Sequence, residues 1–517
     1  MANINNNYNA AYDLIKRNID NNPKKVAFID NDYQITYHEL FQKIKTFAYS
    51  IKEKKLKKGD RIIICISDTI SYPIAFLGLI WAGLIPICIN TMLPKKDYKY
   101  MLEDSAAKAI IISPNLIDSF EFVINKINNH PLLIIDNNEI IYNNDKYLNF
   151  STFINKGKTI ENPENTYEYD VAFWLYSSGS TGSPKGTLHI HKSLLATANT
   201  YAKNIIKINN NDICFSAAKL FFAYGLGNAL TFPMSVGATS ILMSDRPTVE
   251  SVTTIIKKYS VSLYFGVPTL YAALLNSNIQ KNDFKSLRLS VSAGEALPAH
   301  LCEKWSDLIG TKVLDGIGST EMLHIFISNN IDESSPGASG RPVPGYKARL
   351  IRDDGTEASD NEIAELEIQG PSSAITYWNK PNKSKLTFKG LWIKTGDKYI
   401  KDCDGIYTYC GRVDDMMKVS GQYVSPFEIE AVLQSNNNVL ESAVVASKDK
   451  DNLIKPKAYI VLNKGIEATK ELELELTNHV KKQLTPFKYP RWYEFIDNLP
   501  KTATGKIQRF KLRNNNA

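Results

Sequence analysis

The sequence feature that most constrains the fold is an apolar run at residues 171–175, which leads directly into a polar stretch at residues 176–186. The run predicts a buried strand, and the stretch, with three glycines, five Ser/Thr hydroxyls and Lys185, predicts a flexible loop at its end. Glycine lets backbone N–H groups approach anionic oxygens closely, and the lysine adds a positive charge. The combination therefore predicts a polyphosphate site.

This stretch differs from the Walker A nucleotide-binding loop. There glycine precedes the lysine and Ser or Thr follows it, whereas Lys185 lies between Pro184 and Gly186. A Gly/Ser linker is the other interpretation, but linkers seldom follow so apolar a strand. We therefore expect a phosphate site of a different kind.

Length and composition predict a globular protein with more than one domain. The chain of 517 residues exceeds what one hydrophobic core usually organises. Its 61 basic and 54 acidic residues are mixed along the chain, which argues against nucleic acid as a partner. The six cysteines form no Cys-x-x-Cys pair, and the N-terminus lacks a signal-peptide pattern, so we expect a cytoplasmic protein with reduced thiols.

One uncharged segment, residues 69–94, has the length of a membrane span. Pro73, Pro86 and two glycines interrupt it. We therefore expect a buried helix near residues 74–82, followed by a short strand, and no association with a membrane.

The order of apolar segments predicts the fold class. Strand-like segments at residues 61–66, 85–89 and 109–112 alternate with helical ones, which predicts an α/β protein whose large N-terminal domain has stacked α/β layers. Short alternating segments from about residue 340 to 409 predict an antiparallel, barrel-like β subdomain. We place a boundary after Gly411, giving domains of residues 1–411 and 412–517, the second a small mobile α+β domain.

Two further segments predict a strand that runs into a glycine turn and then a helix, at residues 287–296 and 313–321. In α/β enzymes, ligands bind at the carboxyl ends of strands. We therefore expect both turns at the functional site. Thr320 and Glu321 also fit the start of a helix.

Together these segments resemble the adenylate-forming superfamily, which includes acyl-CoA synthetases, from about residue 20 to 510. The matching motifs, in the family's order, are residues 177–186, 292–296, 316–321, 395–397, 411–415 and 500–506. Within that superfamily, residues 217–228 and 315–325 are most similar to the benzoate-CoA ligases. The resemblance implies a ligase that uses ATP and Mg²⁺ to join an aromatic carboxylate, benzoate as first choice, to coenzyme A through an acyl-AMP intermediate.

The resemblance also implies roles in nucleotide binding and catalysis. Lys506 is expected to bridge the substrate carboxylate and the α-phosphate as a catalytic residue, together with Thr320 and Glu321. The other expected roles are phosphate contacts for Ser178, Thr181 and Lys185, a magnesium contact for Glu321, adenine contacts for Gly294, Glu295 and Ala296, a nucleotide contact for Asp315, and ribose or phosphate contacts for Asp397 and Arg412.

Asp414 matches the family's hinge, about which the C-terminal domain turns between two half-reactions. One orientation presents Lys506, and the other presents a face with Gly421 to coenzyme A. Lys506 also fits the pattern at which related bacterial synthetases are acetylated, so a lysine acetyltransferase and a deacetylase are expected partners. A homodimer is common among similar enzymes, although the sequence itself does not determine the assembly.

By the same resemblance, the acyl pocket is expected to be lined by Ala223, Tyr224, Gly318, His324 and Ile325. These residues are small, flat or apolar, which favours a flat, uncharged acyl group. His324 either donates to a ring substituent or closes the pocket by packing. Lys219, the remaining charge nearby, is expected to point away.

Two alternatives stay open. An adenylation protein would load an aryl or short acyl group onto a carrier protein's phosphopantetheine through the same first step. A non-catalytic relative would be expected to lack Lys506, Glu321 or Asp397, and all three are present. The exact acid is also left open.

Overall fold

The structure is a computed structural model that describes residues 7–31, 33–127, 130–137, 147–179, 182–419, 422–450, 453–485, 487–501 and 507–514. Up to residue 190 its elements are α1 (Ala10–Asn21), β1 (Val26–Asp30), β2 (Tyr33–Thr36), α2 (Tyr37–Lys52), β3 (Arg61–Cys65), α3 (Ser71–Trp81), β4 (Ile85–Cys88), α4 (Lys95–Ser105), β5 (Ala109–Ile112), α5 (Ile117–Ile124), β6 (Leu132–Ile135), β7 (Leu148–Asn149), α6 (Phe150–Ile154), β8 (Val171–Gly179) and β9 (Gly182–Ile190).

The next part of the chain continues the alternation and then becomes strand-rich. Its elements are α7 (His191–Thr197), β10 (Ile213–Ser216), α8 (Ala223–Leu226), α9 (Phe232–Val236), β11 (Thr239–Leu242), α10 (Val249–Tyr259), β12 (Leu263–Gly266), α11 (Pro268–Leu275), β13 (Leu289–Ser292), α12 (Ala299–Ile309), β14 (Val313–Gly318), β15 (Ile325–Ser328), β16 (Arg341–Pro342), β17 (Lys347–Ile351), β18 (Ala364–Gln369), β19 (Thr376–Tyr377), α13 (Pro381–Thr387), β20 (Phe388–Lys389), β21 (Trp392–Lys401) and β22 (Tyr407–Arg412).

The C-terminal part mixes short strands and helices. They are β23 (Met417–Val419), β24 (Gln422–Val424), α14 (Pro426–Gln434), β25 (Val439–Lys448), β26 (Ile454–Leu462), α15 (Lys470–Gln483), β27 (Trp492–Phe495) and α16 (Arg509–Asn514). Elsewhere, 3-10 turns cover Pro114–Leu116 and Lys281–Phe284, and π-helical turns cover Ala198–Ala202 and Gly227–Thr231.

Two large sheets form the N-terminal part. One has the strand order β19-β9-β8-β4-β3-β5-β6-β7, and the other β16-β15-β14-β13-β12-β10-β11-β1-β2. The strands in the middle of each sheet run parallel, and antiparallel pairs lie toward the edges. Parallel strands need crossover connections, which the intervening helices supply.

Helices separate and cover these sheets. α1, α2, α3 and α7 share one hydrophobic core with both sheets. α4 and α5 cover the outer face of the first sheet, and α10, α11 and α12 cover that of the second. The stacked α/β layers predicted from the sequence are therefore confirmed.

The uncharged segment forms a buried helix, as predicted. Every residue of α3 is buried, because the helix is apolar on all sides and lies between the sheets. Among the described residues, no helix is both long enough and apolar enough to span a membrane.

The region after residue 340 is antiparallel, as predicted. β17, β18, β21 and β20 follow one another in a sheet, and β22 pairs with β21. Beyond β22, the chain forms a sheet of β25, β26 and β27, whose two faces pack against α14 with α15 and against α16.

The prediction of a loop over residues 176–186 is wrong for its described part. β8 continues to Gly179 and β9 begins at Gly182, so Tyr176 lies opposite Gly186 and Ser177 lies opposite Lys185. β9 also pairs with β19 on its other edge. The described parts of this glycine-rich segment are therefore paired strands, residues 176–179 of β8 with residues 182–186 of β9, and β19 pairs with the next two residues of β9, Thr187 and Leu188.

The predicted helix after residue 318 is also wrong. The chain turns back as β15, with Gly318 opposite Ile325. The turn is closed by Ser319, whose carbonyl and hydroxyl oxygens both lie 3.2 Å from the Met322 backbone nitrogen. The apolar residues that follow form a buried strand, so Thr320 and Glu321 lie in a tight turn and start no helix.

Candidate active site

Three predicted site segments meet where β9, β19 and the turn after β14 come together. Tyr377 lies opposite Thr187 in the β9–β19 pair, so its side chain shares a sheet face with Thr187 and Lys185. The Lys185 Nζ lies 3.2 Å from the Tyr377 Oη and 3.8 Å from the Glu321 Oε1. The Tyr377 hydroxyl donates to that carboxylate oxygen over 2.6 Å. The sheet thus brings the predicted phosphate lysine to the predicted magnesium ligand.

The protonation of this cluster follows from its burial. Burial lowers the pKa of Lys185, and the Glu321 carboxylate opposes this shift. Burial and the same carboxylate raise the pKa of Tyr377, so its phenol keeps its proton. The ammonium also lies 4.3 Å from the centroid of the Tyr377 ring, in a cation–π contact.

Thr320 lies in a turn whose backbone is held by a hydrogen bond from His189. His189 Nε2 lies 2.8 Å from the Thr320 carbonyl oxygen, and this nitrogen carries the proton because a carbonyl only accepts. Burial lowers the pKa of His189 to about 4, so the ring is neutral at pH 7. The ring also stacks on Phe173, with 5.1 Å between centroids. β9 therefore fixes the backbone that carries Thr320 and Glu321.

Asp397 and Arg412 lie opposite each other on β21 and β22. The Arg412 Nη1 donates to the Asp397 Oδ1 over 3.0 Å and to the Thr395 carbonyl oxygen over 2.9 Å. Gly396 has a φ of 73°, and a Cβ there would lie 2.8 Å from the Arg412 Nη2. The glycine of this motif therefore makes room for the guanidinium group.

Gly294, Glu295 and Ala296 form the turn after β13, where Gly294 adopts a φ of 100°. The neighbouring strand β14 places Asp315 beside this turn. Its Oδ2 accepts from the Leu297 N–H over 3.4 Å, but its buried Oδ1 has no hydrogen-bond partner among the described residues. Burial raises the pKa of Asp315 well above its usual range. A buried polar atom is thus left for a ligand.

The predicted acyl-pocket residues come together between α8 and the β14–β15 hairpin. They are Ala223 and Tyr224 at the start of α8, Gly318 and Ile325 as a cross-strand pair, and His324 beside Ile325. The Tyr224 hydroxyl lies 3.3 Å from the carbonyl oxygens of both Gly266 and Val291. A Cβ on Gly318 would lie 2.7 Å from the His324 carbonyl oxygen, so glycine is required there.

His324 has a hydrogen-bond partner inside the protein. Its Nε2 lies 3.0 Å from the Asn228 Oδ1. Its ring centroid lies 4.5 Å from that of Phe232, 5.2 Å from that of Tyr201 and 5.4 Å from that of Tyr224. Burial lowers the pKa of His324 to about 3, so the imidazole is neutral. The surroundings of the ring are therefore aromatic and uncharged.

Lys219 directs its charge to the end of β11. Its Nζ donates to the carbonyl oxygens of Met243 and Asp245. The next backbone N–H, of Leu220, lies 3.2 Å from each carboxylate oxygen of Asp68. Burial raises the pKa of Asp68 to about 6. These contacts anchor the segment that leads into Ala223 and Tyr224.

Some predicted site residues lie outside the described part of the chain. They are Lys506, Gly421, Thr181 and the side chain of Ser178. Asp414 lies in the turn between β22 and β23, where the Arg513 Nη1 donates to its carbonyl oxygen over 2.8 Å. The same Nη1 lies 3.1 Å from Asp415 Oδ1. The turn that contains the predicted hinge is thus hydrogen-bonded to α16.

Sequence reasoning missed His189, Asn228 and Tyr377. A signal existed for His189, because Lys185, Thr187 and His189 are polar residues at every second position of β9 and share one face. Asn228 lies four residues after Tyr224, within one helical turn of it. Tyr377 gave no such signal, since its partners are distant in sequence.

Glu321 fits a magnesium ion that arrives with phosphate ligands. Mg²⁺ is usually held by one or two carboxylates together with substrate phosphates. Within the described ranges, no group of three or more His, Cys, Asp or Glu side chains could hold a metal ion by itself. One carboxylate beside Lys185 therefore suits a metal-bound nucleotide better than a resident ion.

Family models and known proteins are similar to this chain over most of its length. The family described as AMP-binding enzyme matches residues 15–378, and the AMP-binding enzyme C-terminal domain matches residues 428–506. A benzoate–CoA ligase of Thauera aromatica is 48% identical over 510 residues, which are 98% of this chain and 96% of that protein.

Solved structures are similar over the same extent. A benzoate CoA ligase from Burkholderia xenovorans LB400 has a TM-score of 0.91 and 44% identity, covering 98% of this chain and 100% of that one. The anthranilate CoA ligase AuaEII, in complex with anthranoyl-AMP, has a TM-score of 0.94 and 36% identity, covering 99% and 97%.

Proposed function

Since the chain belongs to the AMP-binding enzyme family of adenylate-forming ligases, we propose that it converts benzoate to benzoyl-CoA with ATP, releasing AMP and pyrophosphate. The observation that carries the proposal is the neutral aromatic environment of His324, on the same turn-and-hairpin unit as Glu321. The identity of 48% to the Thauera aromatica ligase supports the same substrate.

The chemistry explains why two half-reactions are needed. A thiol does not attack a carboxylate at a useful rate, because oxide is a very poor leaving group. A carboxylate oxygen first attacks the α-phosphorus of ATP, and pyrophosphate leaves. The sulfur of coenzyme A then attacks the acyl carbonyl carbon, and AMP leaves. The first step joins two anions, so it requires fixed positive charge and aligned donors.

The cluster of Lys185, Glu321 and Tyr377, here called the phosphate cluster, meets that requirement. Lys185 would bind the β- and γ-phosphates, with Ser178 and Thr181 as further donors. Glu321 would hold Mg²⁺, which when bound with ATP offsets the phosphate charge. Thr320, whose backbone His189 fixes, would donate its hydroxyl to the α-phosphate. Lys506 would bridge the carboxylate and that phosphate.

The nucleoside part of ATP would be bound by residues of β21 and β14 and of the turn after β13. Asp397, held by Arg412, would accept hydrogen bonds from the ribose hydroxyls. Gly294, Glu295 and Ala296 would contact the adenine. Asp315 Oδ1, one of the buried atoms without a hydrogen-bond partner among the described residues, would accept from a nucleotide N–H donor.

The acyl pocket favours benzoate over hydroxylated acids. The Nε2–H of His324 is already donated to Asn228 and Lys219 is bound elsewhere, while the buried Nδ1 of His324 has no partner among the described residues. A para-hydroxyl group that does not reach this nitrogen would be unpaired, which costs about 1–3 kcal/mol and corresponds to a preference of roughly 5- to 150-fold. The test is the rate of thioester formation with a panel of acids, ATP and CoA. An aliphatic acid at the head of the panel would overturn the proposal.

The second half-reaction would require the turn at Asp414. We expect the C-terminal domain, residues 412–517, to rotate there so that a face with Gly421 admits coenzyme A. Asp414→Pro should slow thioester formation more than pyrophosphate exchange, and Lys506→Ala should do the reverse. Equal losses of both partial reactions in both variants would contradict this division. Acetylation of Lys506 would remove its positive charge and would therefore abolish the first half-reaction.

An aryl acid loaded onto a carrier protein is the second candidate. It shares the first half-reaction, and it would show pyrophosphate exchange with benzoate but no benzoyl-CoA. The assay with free CoA therefore separates the two.

A further inference from the structure

The phenol of Tyr377 lies between the two charged groups of the phosphate cluster. Lys185 is a donor only, and the Glu321 carboxylate is an acceptor only. The phenol therefore gives its single proton to Glu321, over 2.6 Å, and accepts from Lys185, over 3.2 Å. The ammonium and the carboxylate oxygen themselves remain 3.8 Å apart.

The position of this phenol is fixed by packing. Tyr377 is 3% exposed, pairs with Thr187 through β19, and its backbone N–H donates to the Ser384 hydroxyl over 3.1 Å. Its ring packs edge to face on Phe388, with 5.1 Å between centroids. Glu321, by contrast, projects from a turn, and its side chain is 14% exposed. The fixed Tyr377 hydroxyl therefore orients the less constrained Glu321 carboxylate.

We propose that Tyr377 is a positioning residue for the metal-bound nucleotide. By holding Oε1, the phenol sets the plane of the Glu321 carboxylate, so that Oε2 faces one defined direction. By accepting from Lys185, it keeps the ammonium from closing on Glu321 as a direct ion pair. The carboxylate then stays available for Mg²⁺ and the lysine for phosphate. This inference rests on the proposed function, because it takes ATP with Mg²⁺ as the ligand.

Tyr377→Phe tests this role. The variant keeps the ring, its contact with Phe388 and its face toward Lys185, and it removes only the hydroxyl. Lys185 and Glu321 should then pair directly, and the pair should compete with the metal for the carboxylate. We expect the benefit of Mg²⁺, measured as the Kd of ATP in EDTA divided by its Kd in Mg²⁺, to fall roughly tenfold, the effect of one hydrogen bond to a charged group.

The measurement is calorimetric titration of the full chain with ATP, in Mg²⁺ or in EDTA, without acid or CoA. Tyr8→Phe is the matched control, because the Tyr8 hydroxyl donates to Asp13 Oδ2 over 2.9 Å, away from the cluster. Its ratio should equal that of the wild type. An unchanged ratio in Tyr377→Phe, or an equal fall in both variants, would overturn the proposal.

A double variant separates positioning from a general structural effect. In Lys185→Met/Tyr377→Phe the Lys185 ammonium is absent and cannot close on Glu321, so the ratio should recover to within about threefold of that of Lys185→Met alone, the remaining difference being the lost orientation of the carboxylate. A ratio that stays low despite the missing lysine would contradict the proposal. Failure of the wild type to bind ATP would instead count against the proposed function, so the two failures are distinguishable.

Discussion

Replacing Gly227 with alanine should push His324 out of its position beside the proposed acyl pocket. Gly227 begins the π-helical turn after α8. A Cβ there would lie 2.4 Å from the His324 Cδ2 and 3.2 Å from the Phe232 Cζ, whereas ordinary contact begins at 3.4 Å. The imidazole would have to retreat by about 1 Å. His324 is 2% exposed and Phe232 is fully buried, so neither can escape to solvent.

Two energetic effects add at this site. Overpacking of this size costs about 1–3 kcal/mol. The retreat also strains the 3.0 Å hydrogen bond from His324 to Asn228, which contributes about 1 kcal/mol. We therefore expect the free energy of unfolding to fall by about 2–4 kcal/mol. The kcat/KM for benzoate should fall roughly tenfold, the equivalent of about 1.4 kcal/mol, with the KM for ATP changed by less than about twofold.

Gly78→Ala provides the matched control. Its added Cβ would lie 2.6 Å from the Phe47 Cδ1, in the helical layer between the two sheets and away from the pocket. Urea unfolding and steady-state kinetics should show a similar loss of stability without the fall in kcat/KM for benzoate. If Gly227→Ala kept both its stability and its benzoate kinetics, or if Gly78→Ala altered benzoate kinetics equally, the steric reasoning would be refuted.

Three further substitutions test buried charges. Asp68→Asn should raise the free energy of unfolding by up to about 3 kcal/mol above pH 6. The native pKa of Asp68, about 6, exceeds its ordinary value of 3.8, so the stability of the wild type falls as the pH rises between these values. In urea titrations the difference in stability between variant and wild type should therefore vanish near pH 4. Glu430→Gln should destabilise the protein by about 3–5 kcal/mol, since it removes the carboxylate that the buried Arg509 donates to and leaves this arginine with Asp415 at 4.0 Å; unchanged thermal unfolding would contradict this. Asp397→Asn should raise the KM for ATP roughly tenfold and leave that for benzoate unchanged, and equal changes in both would exclude a ribose-specific role.

Much of the fold followed from local sequence pattern. Apolar strand-length segments such as Ala109–Ile112 alternate with helical ones, and such a pattern has few compact solutions other than sheets covered by helices. α3 was recognisable as buried because an uncharged helix cannot face water on any side. The resemblance to the adenylate-forming superfamily also assigned Lys185 and Glu321 to one nucleotide site, and the structure places them 3.8 Å apart.

Local pattern could not decide where the chain turns at the site. The glycine-rich segment after residue 176 was predicted to be a loop, but its described residues continue β8 to Gly179 and begin β9 at Gly182, and these two strands pair with each other. The segment after Gly318 was predicted to start a helix, but pairing with Ile325 makes it return as a strand. Glycine permits both outcomes, so the partner strand selects one.

The sequence by itself therefore determined the layers, the motifs and the chemistry of the residues that carry them. Only the tertiary structure decided which side chains meet: Tyr377 reaches Glu321 across 56 residues of chain, and His189 reaches Thr320 across 131. These contacts depend on strand register, in which a shift of one residue turns every side chain to the opposite face. Register is set by the packing of distant strands, and no local pattern contains it.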